Sequence, residues 1–353
     1  MAILKLFETN NEHFQEYFSR IFQSSNINFL FGAGASNPAI TVAGDIENKI
    51  QELYDEGNVS EAEKVEYDFL ASVQKICAKL VQGASFPANS HEILVLSNYE
   101  LFLDIIQDML QQRRNSLLPK KVNIFTTNYD LFVEQAALKF KGLVLNDGFQ
   151  IRSTLKNEYQ YETRSFSRTF FETSALYDYK VELPVVNLLK IHGSMTWTMD
   201  APNSEIIKYK AETNFLPSIE ELTEEQIKQH LENYYLIYPK KEKFKTTLLN
   251  HTYYDLMRIY SNELDKEQTV LIAFGFSFQD EHLFDLTKRA LRNSTLKIII
   301  FAFNNSAKEL LLEKFSNFNN VDIIYRSNDE QIKFEQFNDA MQCFRGSGAK
   351  KYA

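Results

Sequence analysis

The stretch of sequence that decides the fold reads Ile27-Asn28-Phe29-Leu30-Phe31-Gly32-Ala33-Gly34-Ala35-Ser36. Its first half is a short apolar run, which predicts a buried β-strand. The run leads directly into glycine, alanine and serine, a composition typical of a parallel strand that ends above the phosphates of a nucleotide. The third glycine of the dehydrogenase fingerprint is missing, which weakens the signal for a nucleotide site. A tight turn that binds no ligand would have a similar sequence.

Short apolar strands recur along the chain and are mostly followed by helical patterns. Beyond the first, they are predicted at 122–125, 185–191, 270–274, 296–303 and 321–325. Parallel neighbours need crossover connections, so this alternation favours a parallel sheet that is covered on both faces. The sequence therefore predicts an α/β fold, a Rossmann-like doubly wound parallel sheet, in a single domain over residues 1–353.

Two stretches interrupt the alternation of strands and helices. From 45 to 118 the apolar residues recur at helical spacing, which predicts an inserted helical lobe. A more polar region at 197–267 contains Thr223 as a candidate N-cap, with Gln226 three residues later in capping-box spacing. We expect this region to be a second insertion.

Composition and charge exclude several classes of protein. The 353 residues carry a formal net charge of −9, so we do not expect this chain alone to bind nucleic acid. The longest apolar stretches are shorter than the ~20 residues of a membrane span, and no secretory signal is recognisable at the start. With only two cysteines, neither a disulfide framework nor a four-cysteine structural zinc site is expected. These features predict a cytoplasmic protein without a membrane partner.

Four glycine-containing or polar segments follow predicted strands. They are Gly32-Ala33-Gly34-Ala35-Ser36, Thr126-Thr127-Asn128-Tyr129-Asp130, Lys190-Ile191-His192-Gly193-Ser194 and Gly275-Phe276-Ser277-Phe278-Gln279-Asp280-Glu281-His282. Open α/β sheets bind ligands at the carboxyl ends of their strands. We therefore expect the four segments to share one crevice.

Three side chains in these segments are candidates for chemistry. Asn128 and Asp130 follow a buried strand and either could face the crevice, although each could also cap the next helix. His192 places an imidazole at a strand end, where it could accept a proton. A lone histidine is more often structural, and only its position beside the other segments favours a catalytic role. The other five histidines show no metal-ligand spacing, so no metal site is predicted.

Taken together, the four segments resemble the sirtuin-like family, in the divergent bacterial antiphage-defence branch whose members hydrolyse NAD. In order along the chain they are similar to its GAG-x-S loop, its T-x-N-x-D motif, the segment with its catalytic histidine, and the G-x-S-x-x-D-x-H element of the bacterial branch. The resemblance spans roughly 28–304. The Pro-Asp-Phe-Arg segment and the four zinc cysteines of protein-deacylating sirtuins are missing, which argues against acyl-lysine substrates.

The resemblance implies that NAD is bound as the substrate, with Asn128 and His192 as catalytic residues. The turn at 32–36 would hold the pyrophosphate, and Asp130 would contact the nicotinamide carboxamide. Ser277 and Asn304 would lie near the adenosine half. The implied NAD-binding residues are Gly32, Ala33, Gly34, Ser36, Thr127, Asp130, Gly275, Ser277 and Asn304.

The function implied is NAD glycohydrolysis, to nicotinamide and ADP-ribose, by a bacterial defence effector that depletes NAD. Relatives of the sirtuin–HerA and Thoeris effector types imply a homo-oligomer and a possible HerA-type ATPase partner. A protein deacylase or ADP-ribosyl transferase that uses the same pocket is one alternative. Another is a non-catalytic subunit that binds NAD or ADP-ribose as a scaffold. A nuclease is disfavoured because no paired-carboxylate motif stands out.

Overall fold

The strands and helices follow the predicted alternation closely. The computed structural model describes residues 1–8, 12–42, 44–113, 118–151, 159–173, 179–199, 206–238 and 251–342. The strands are β1 (Ile3–Leu6), β2 (Asn26–Phe31), β3 (Lys121–Thr126), β4 (Val144–Asn146), β5 (Phe149–Ile151), β6 (Tyr159–Tyr161), β7 (Phe171–Thr173), β8 (Lys180–Glu182), β9 (Val185–Lys190), β10 (Gly193–Met199), β11 (Ile207–Tyr209), β12 (Tyr234–Leu236), β13 (Thr269–Phe274), β14 (Lys297–Phe301) and β15 (Val321–Tyr325). The helices are α1 (Glu12–Ser24), α2 (Gly44–Asp55), α3 (Val59–Val81), α4 (His91–Gln112), α5 (Phe132–Ala137), α6 (Glu224–Asn233), α7 (His251–Leu264), α8 (Glu281–Ala290), α9 (Asn305–Lys314) and α10 (Phe334–Gln342).

The main sheet has eight strands in the order β1-β15-β14-β13-β2-β3-β9-β4. Every neighbouring pair in it is parallel. From β2 the chain continues to β3 on one side, and it later returns to β13 on the other side. This reversal creates the topological switch point at which such sheets bind ligands. The predicted Rossmann-like α/β fold is confirmed.

Helices cover both faces of this sheet, as a doubly wound fold requires. On one face, α1, α4 and α10 pack on the sheet through phenylalanines; the ring centroids of Phe102 and Phe29 are 5.0 Å apart. On the other face lie α7, α8 and α9, with Tyr260 5.0 Å from the Phe125 ring. Helix α4, within the range 45–118, is therefore part of the sheet's covering layer. Within the described ranges, no helix has the length and apolar character to cross a bilayer.

A second, antiparallel sheet was not predicted. Its strand order is β12-β10-β11-β6-β5. Most of these strands have only three residues, too few for an alternating pattern to be recognised in the sequence. Strand β10 starts three positions after β9 ends, so the chain passes from one sheet to the other at Ile191 and His192. The capping box of Thr223 and Gln226 at the start of α6 is confirmed.

Four buried asparagines form a ladder across the main sheet. Asn28, Asn123, Asn187 and Asn146 are paired in register on β2, β3, β9 and β4. The side-chain amides of the last three each donate to Oδ1 of the asparagine before them: Asn123 to Asn28 over 2.7 Å, Asn187 to Asn123 over 2.8 Å and Asn146 to Asn187 over 2.9 Å. We call this row the asparagine ladder. It aligns the strands that carry the first three polar segments, because a shifted register would leave buried amides without partners.

Candidate active site

The glycines of the first and fourth segments let two backbones meet. The Gly32 N–H donates to Phe274 O over 3.1 Å, and the Gly34 N–H donates to Gly275 O over 3.0 Å. A Cβ atom on Gly32 would lie 2.5 Å from Gly275 O, and one on Gly34 would lie 2.7 Å from Gly275 Cα. Side chains at these positions would therefore separate the two turns at the switch point.

The amides of the Gly32 turn are largely engaged within the protein. In addition to the two glycine amides, the Ala35 N–H donates to Gly32 O and the Ser36 N–H to Ala33 O. The close approach of the two backbones therefore accounts for the small residues at 32–36, a cause that the sequence alone did not indicate. A direct role of this turn in holding a pyrophosphate stays a prediction.

Gly275→Ala should lower the free energy of unfolding by roughly 2–4 kcal/mol. Gly275 has φ +65°, and a Cβ atom there would lie 2.5 Å from the Ala35 nitrogen, so strain and overpacking add together. Urea unfolding measures the effect. Gly83→Ala is the matched control, because Gly83 has φ +64° but open space around its Cβ position. Equal losses in the two variants would contradict the close approach of the turns.

Asn128 is fixed by the Gly32 turn, which brings the first and second segments together. Its side-chain Nδ2 donates to Gly32 O and to Ser36 Oγ, each over 3.0 Å. Its backbone N–H donates to Thr126 Oγ1 over 3.0 Å. Because both amide hydrogens point into the protein, Oδ1 is the atom of this half-buried side chain that can accept a hydrogen bond from a ligand.

Ser36 contacts Asn128 directly, and Asp130 in turn holds Ser36. The Ser36 hydroxyl donates to Asp130 Oδ2 over 2.6 Å, and the Phe132 N–H donates to Asp130 Oδ1 over 3.2 Å. The Tyr99 hydroxyl lies 3.3 Å from Ser36 Oγ, and its pKa is raised, first by burial and then by the negative charge of Asp130. Ser36 and Asp130 are both buried, so their observed contacts are with protein groups.

A buried lysine joins the second and third segments. Lys190 Nζ lies 2.6 Å from Glu134 Oε1, and it also donates to Asp130 O and, over 3.1 Å, to Ser194 Oγ. Burial raises the pKa of Glu134, while the charge of Lys190 opposes that shift. These contacts tie the end of β9 to the start of α5. No role for Lys190 is predicted from the sequence, although a lysine that ends a buried apolar strand indicates a buried partner.

His192 lies where the chain leaves the main sheet, and its backbone is held on both sides. The Ile237 N–H donates to His192 O over 2.9 Å. Gly193 follows with φ +89°, and a Cβ atom on it would lie 2.2 Å from Tyr235 O. The imidazole Nε2 lies 3.1 Å from Asp280 Oδ2, which brings the third and fourth segments together.

Asp280 is the partner of His192, which the sequence did not indicate. It precedes α8 as its N-cap, and Oδ1 accepts from the His282 N–H over 3.1 Å and from the Leu283 N–H over 3.0 Å. The sequence placed Asp280 at a strand end. The pairing with His192 depends on a turn from the other side of the sheet, which no local pattern could indicate.

Asn128 and His192 occupy equivalent positions just beyond the ends of adjacent strands. Thr126 on β3 is paired with Lys190 on β9, and each candidate follows its paired residue by two positions. Beyond that pair, the Ile191 N–H donates to Thr126 O over 2.8 Å and the Met195 N–H to Tyr129 O over 3.0 Å. The amide and the imidazole therefore lie at the same edge of the sheet.

The remaining predicted binding residues are more peripheral. Thr127 is half-buried, and its N–H donates to Phe31 O over 3.2 Å. Ser277 is exposed in the turn after β13. Asn304 follows the adjacent strand β14 and caps α9, with Oδ1 accepting from the Ala307 N–H over 2.9 Å. The described contacts do not link Ser277 or Asn304 to Asn128 or His192.

Metal ligands do not cluster in the described ranges. Over those residues, no group of three or more histidine, cysteine, aspartate or glutamate side chains is arranged to hold a metal ion. Cys77 is a buried free thiol, and Cys343 lies outside the described residues.

Comparison with known protein families shows a match over part of the chain. A model described as a SIR2-like domain matches residues 122–324, more than half of the 353 residues. The matched range contains Asn128, His192, Asp280 and Asn304, whereas the Gly32 turn lies before it. The turn is joined to the matched region by its contacts with Gly275 and Asn128. No curated protein matches the chain.

Proposed function

Since this chain belongs to the SIR2-like domain family, whose members are typically NAD-dependent enzymes, we propose that it is an NAD glycohydrolase. It would cleave NAD to nicotinamide and ADP-ribose. The observation that carries this proposal is the placement of Asn128 and His192. They occupy equivalent positions at the ends of adjacent strands, and each is fixed by contacts to a turn at the switch point.

The substrate needs little acid catalysis to react. The nicotinamide of NAD is already cationic, so breaking the bond between its nitrogen and ribose C1′ releases a neutral group. Positive charge then develops on the ribose, as in glycoside hydrolysis. The protein must orient the ribose, provide dipoles near the developing charge and direct a nucleophile to C1′.

The two polar side chains fit these tasks. Asn128 Oδ1, the free acceptor of its amide, would accept from a ribose hydroxyl or from the attacking water. The water oxygen bonds to C1′ as the C1′–N bond breaks, and the bonding electron pair leaves with nicotinamide. His192 would take the proton that the water loses, which completes the balance of the reaction.

Water is the proposed nucleophile because the chain departs from deacylating sirtuins. In those enzymes an acyl oxygen attacks the ribose. The chain has two cysteines, too few for their four-cysteine zinc site, and it lacks their Pro-Asp-Phe-Arg segment. Both departures support hydrolysis over acyl transfer.

Chromatography of NAD incubated with the purified chain tests the proposal. We expect equal amounts of nicotinamide and ADP-ribose without any added peptide. Release that requires an acetylated peptide would instead indicate a deacylase, and transfer of ADP-ribose to protein would indicate a transferase. Binding of NAD in calorimetry with no release of nicotinamide would indicate a scaffold subunit.

The biological part of the proposal is a bacterial antiphage-defence effector that depletes NAD. It is supported by the similarity of 275–282 to the G-x-S-x-x-D-x-H element of the bacterial branch. An enzyme of this kind needs a control device, and we propose self-assembly or a HerA-type ATPase partner. Light scattering with and without an ATPase encoded beside it tests this, and full activity of an isolated monomer would count against it.

A further inference from the structure

The contact between His192 and Asp280 indicates a role for Asp280 in addition to helix capping. This inference rests on the proposed function, in which His192 is the proton acceptor. We propose that Asp280 is a positioning residue: its carboxylate holds the imidazole so that Nε2 carries the hydrogen and Nδ1 is the nitrogen that accepts a proton from water.

The hydrogen-bond inventory of the pair supports this assignment. An ionised carboxylate only accepts hydrogen bonds, so the 3.1 Å contact requires a hydrogen on His192 Nε2. In a neutral imidazole the other nitrogen then has no hydrogen and is the basic atom. Nδ1 is therefore the ring nitrogen left to take the proton.

Asp280 is itself held in place, which allows it to orient a partner. Its two oxygens have separate tasks: Oδ1 accepts the two backbone amides at the start of α8, and Oδ2 faces the imidazole. Helix capping accounts for Oδ1 only. A carboxylate anchored through one oxygen presents the other in a fixed direction, and such fixed geometry is what a preorganised site requires.

The contact is shielded from water. The side chains of His192 and Asp280 are 7% and 8% exposed, respectively. A hydrogen bond to an ionised group is stronger when water is largely excluded. Because the His192 backbone is held by Ile237 and by the turn at Gly193, the Asp280 bond controls the remaining freedom of the ring.

Two tyrosines flank the pair and stay neutral. The pKa of Tyr260 is raised by burial and further by the nearby charge of Asp280, and its hydroxyl lies 2.8 Å from Thr287 Oγ1. Burial also raises the pKa of Tyr253, whose hydroxyl lies beside Gly193. Neither supplies a charge at neutral pH that would take over the role of the Asp280 carboxylate.

Asp280→Asn is the decisive variant, because asparagine caps helices as well as aspartate does. With its oxygen on the α8 amides, the new Nδ2 would face His192 Nε2 and impose the opposite tautomer. We expect kcat for nicotinamide release to fall by about 10²–10⁴-fold, since general-base help is lost. KM for NAD should stay at the wild-type value, because a positioning residue acts through His192 and not through its own contact with the substrate.

Nitrogen-15 NMR of the histidine rings gives a readout that is independent of NAD. The His192 signals, identified by their loss in His192→Gln, should show hydrogen on Nε2 in the wild type and on Nδ1 in Asp280→Asn. Thr223→Ala is the control for a lost cap, because it removes the N-cap of α6 without contacting His192. It should leave kcat and the tautomer unchanged.

The outcomes separate this inference from the proposed function. An unchanged tautomer or an unchanged kcat in Asp280→Asn, with an active wild type, overturns the positioning role alone. A wild-type chain with the expected tautomer but no nicotinamide release overturns the proposed function, and the positioning role falls with it.

Discussion

Replacing His192 by alanine should reduce nicotinamide release from NAD by about 10²–10⁴-fold. The variant removes the imidazole that follows β9, at the position equivalent to that of Asn128 after β3, and with it the proposed acceptor for the proton of water. Asn128→Ala should have an effect of similar size, because it removes the dipole that orients the ribose or the water. Chromatography of the products under saturating NAD measures both.

The controls distinguish lost chemistry from lost structure. His192→Gln replaces the base with an amide that can still donate to Asp280, so it should be as inactive as His192→Ala while unfolding at nearly the wild-type urea concentration. His91→Ala changes an exposed histidine at the start of α4 and should keep full activity. Wild-type turnover by both Asn128→Ala and His192→Ala would reject the assigned roles.

Asn187→Leu should lower the free energy of unfolding by roughly 3–5 kcal/mol, the largest stability effect we expect. Asn187 is the one ladder member that donates to both Asn123 Oδ1 and Phe166 O and also accepts from Asn146. Its removal leaves three buried polar groups each short of a hydrogen bond. Urea unfolding followed by circular dichroism measures the loss.

Two comparisons test whether the ladder acts as a unit. Asn319→Leu, at an exposed position, should change stability by no more than about 0.5 kcal/mol. Asn123→Leu and Asn187→Leu share a hydrogen bond, so the double variant should lose less than the sum of the single losses. Additive losses, or an Asn187→Leu effect as small as the control, would contradict a cooperative ladder.

The ladder also matters for the candidate site. It sets the register of β2, β3 and β9, the strands that lead into the Gly32 turn, Asn128 and His192. A slip of one residue would turn the side chains of a strand to the opposite face. The alignment of the amide with the imidazole therefore depends on buried groups deep in the sheet.

The asparagines illustrate a limit of sequence reasoning. Asn28, Asn123 and Asn187 stand inside apolar strands that the pattern predicted, where each is a polar exception, whereas Asn146 ends the three-residue strand β4, which was not predicted. They are partners only because they are paired in register on four parallel strands. A search for polar residues at matching positions of successive buried strands could have found this row.

What the sequence determined by itself was the class of fold and the candidate residues. Apolar runs that lead into glycine or polar turns are local patterns, because a buried parallel strand and its turn span only a few residues. The resemblance of four such segments to one family identified Asn128 and His192. The match of a SIR2-like domain to 122–324 supports the family and the use of NAD.

The tertiary structure alone decided which of these residues touch. In the folded chain the turn at Gly32 and Gly34 contacts Gly275, Asn128 donates to Ser36, and His192 is paired with Asp280. It also built the antiparallel sheet from strands too short to be recognised. Such contacts depend on strand order and register, which arise when distant parts of the chain bury their apolar faces together. For that reason the local pattern predicted the side chains and not their partners.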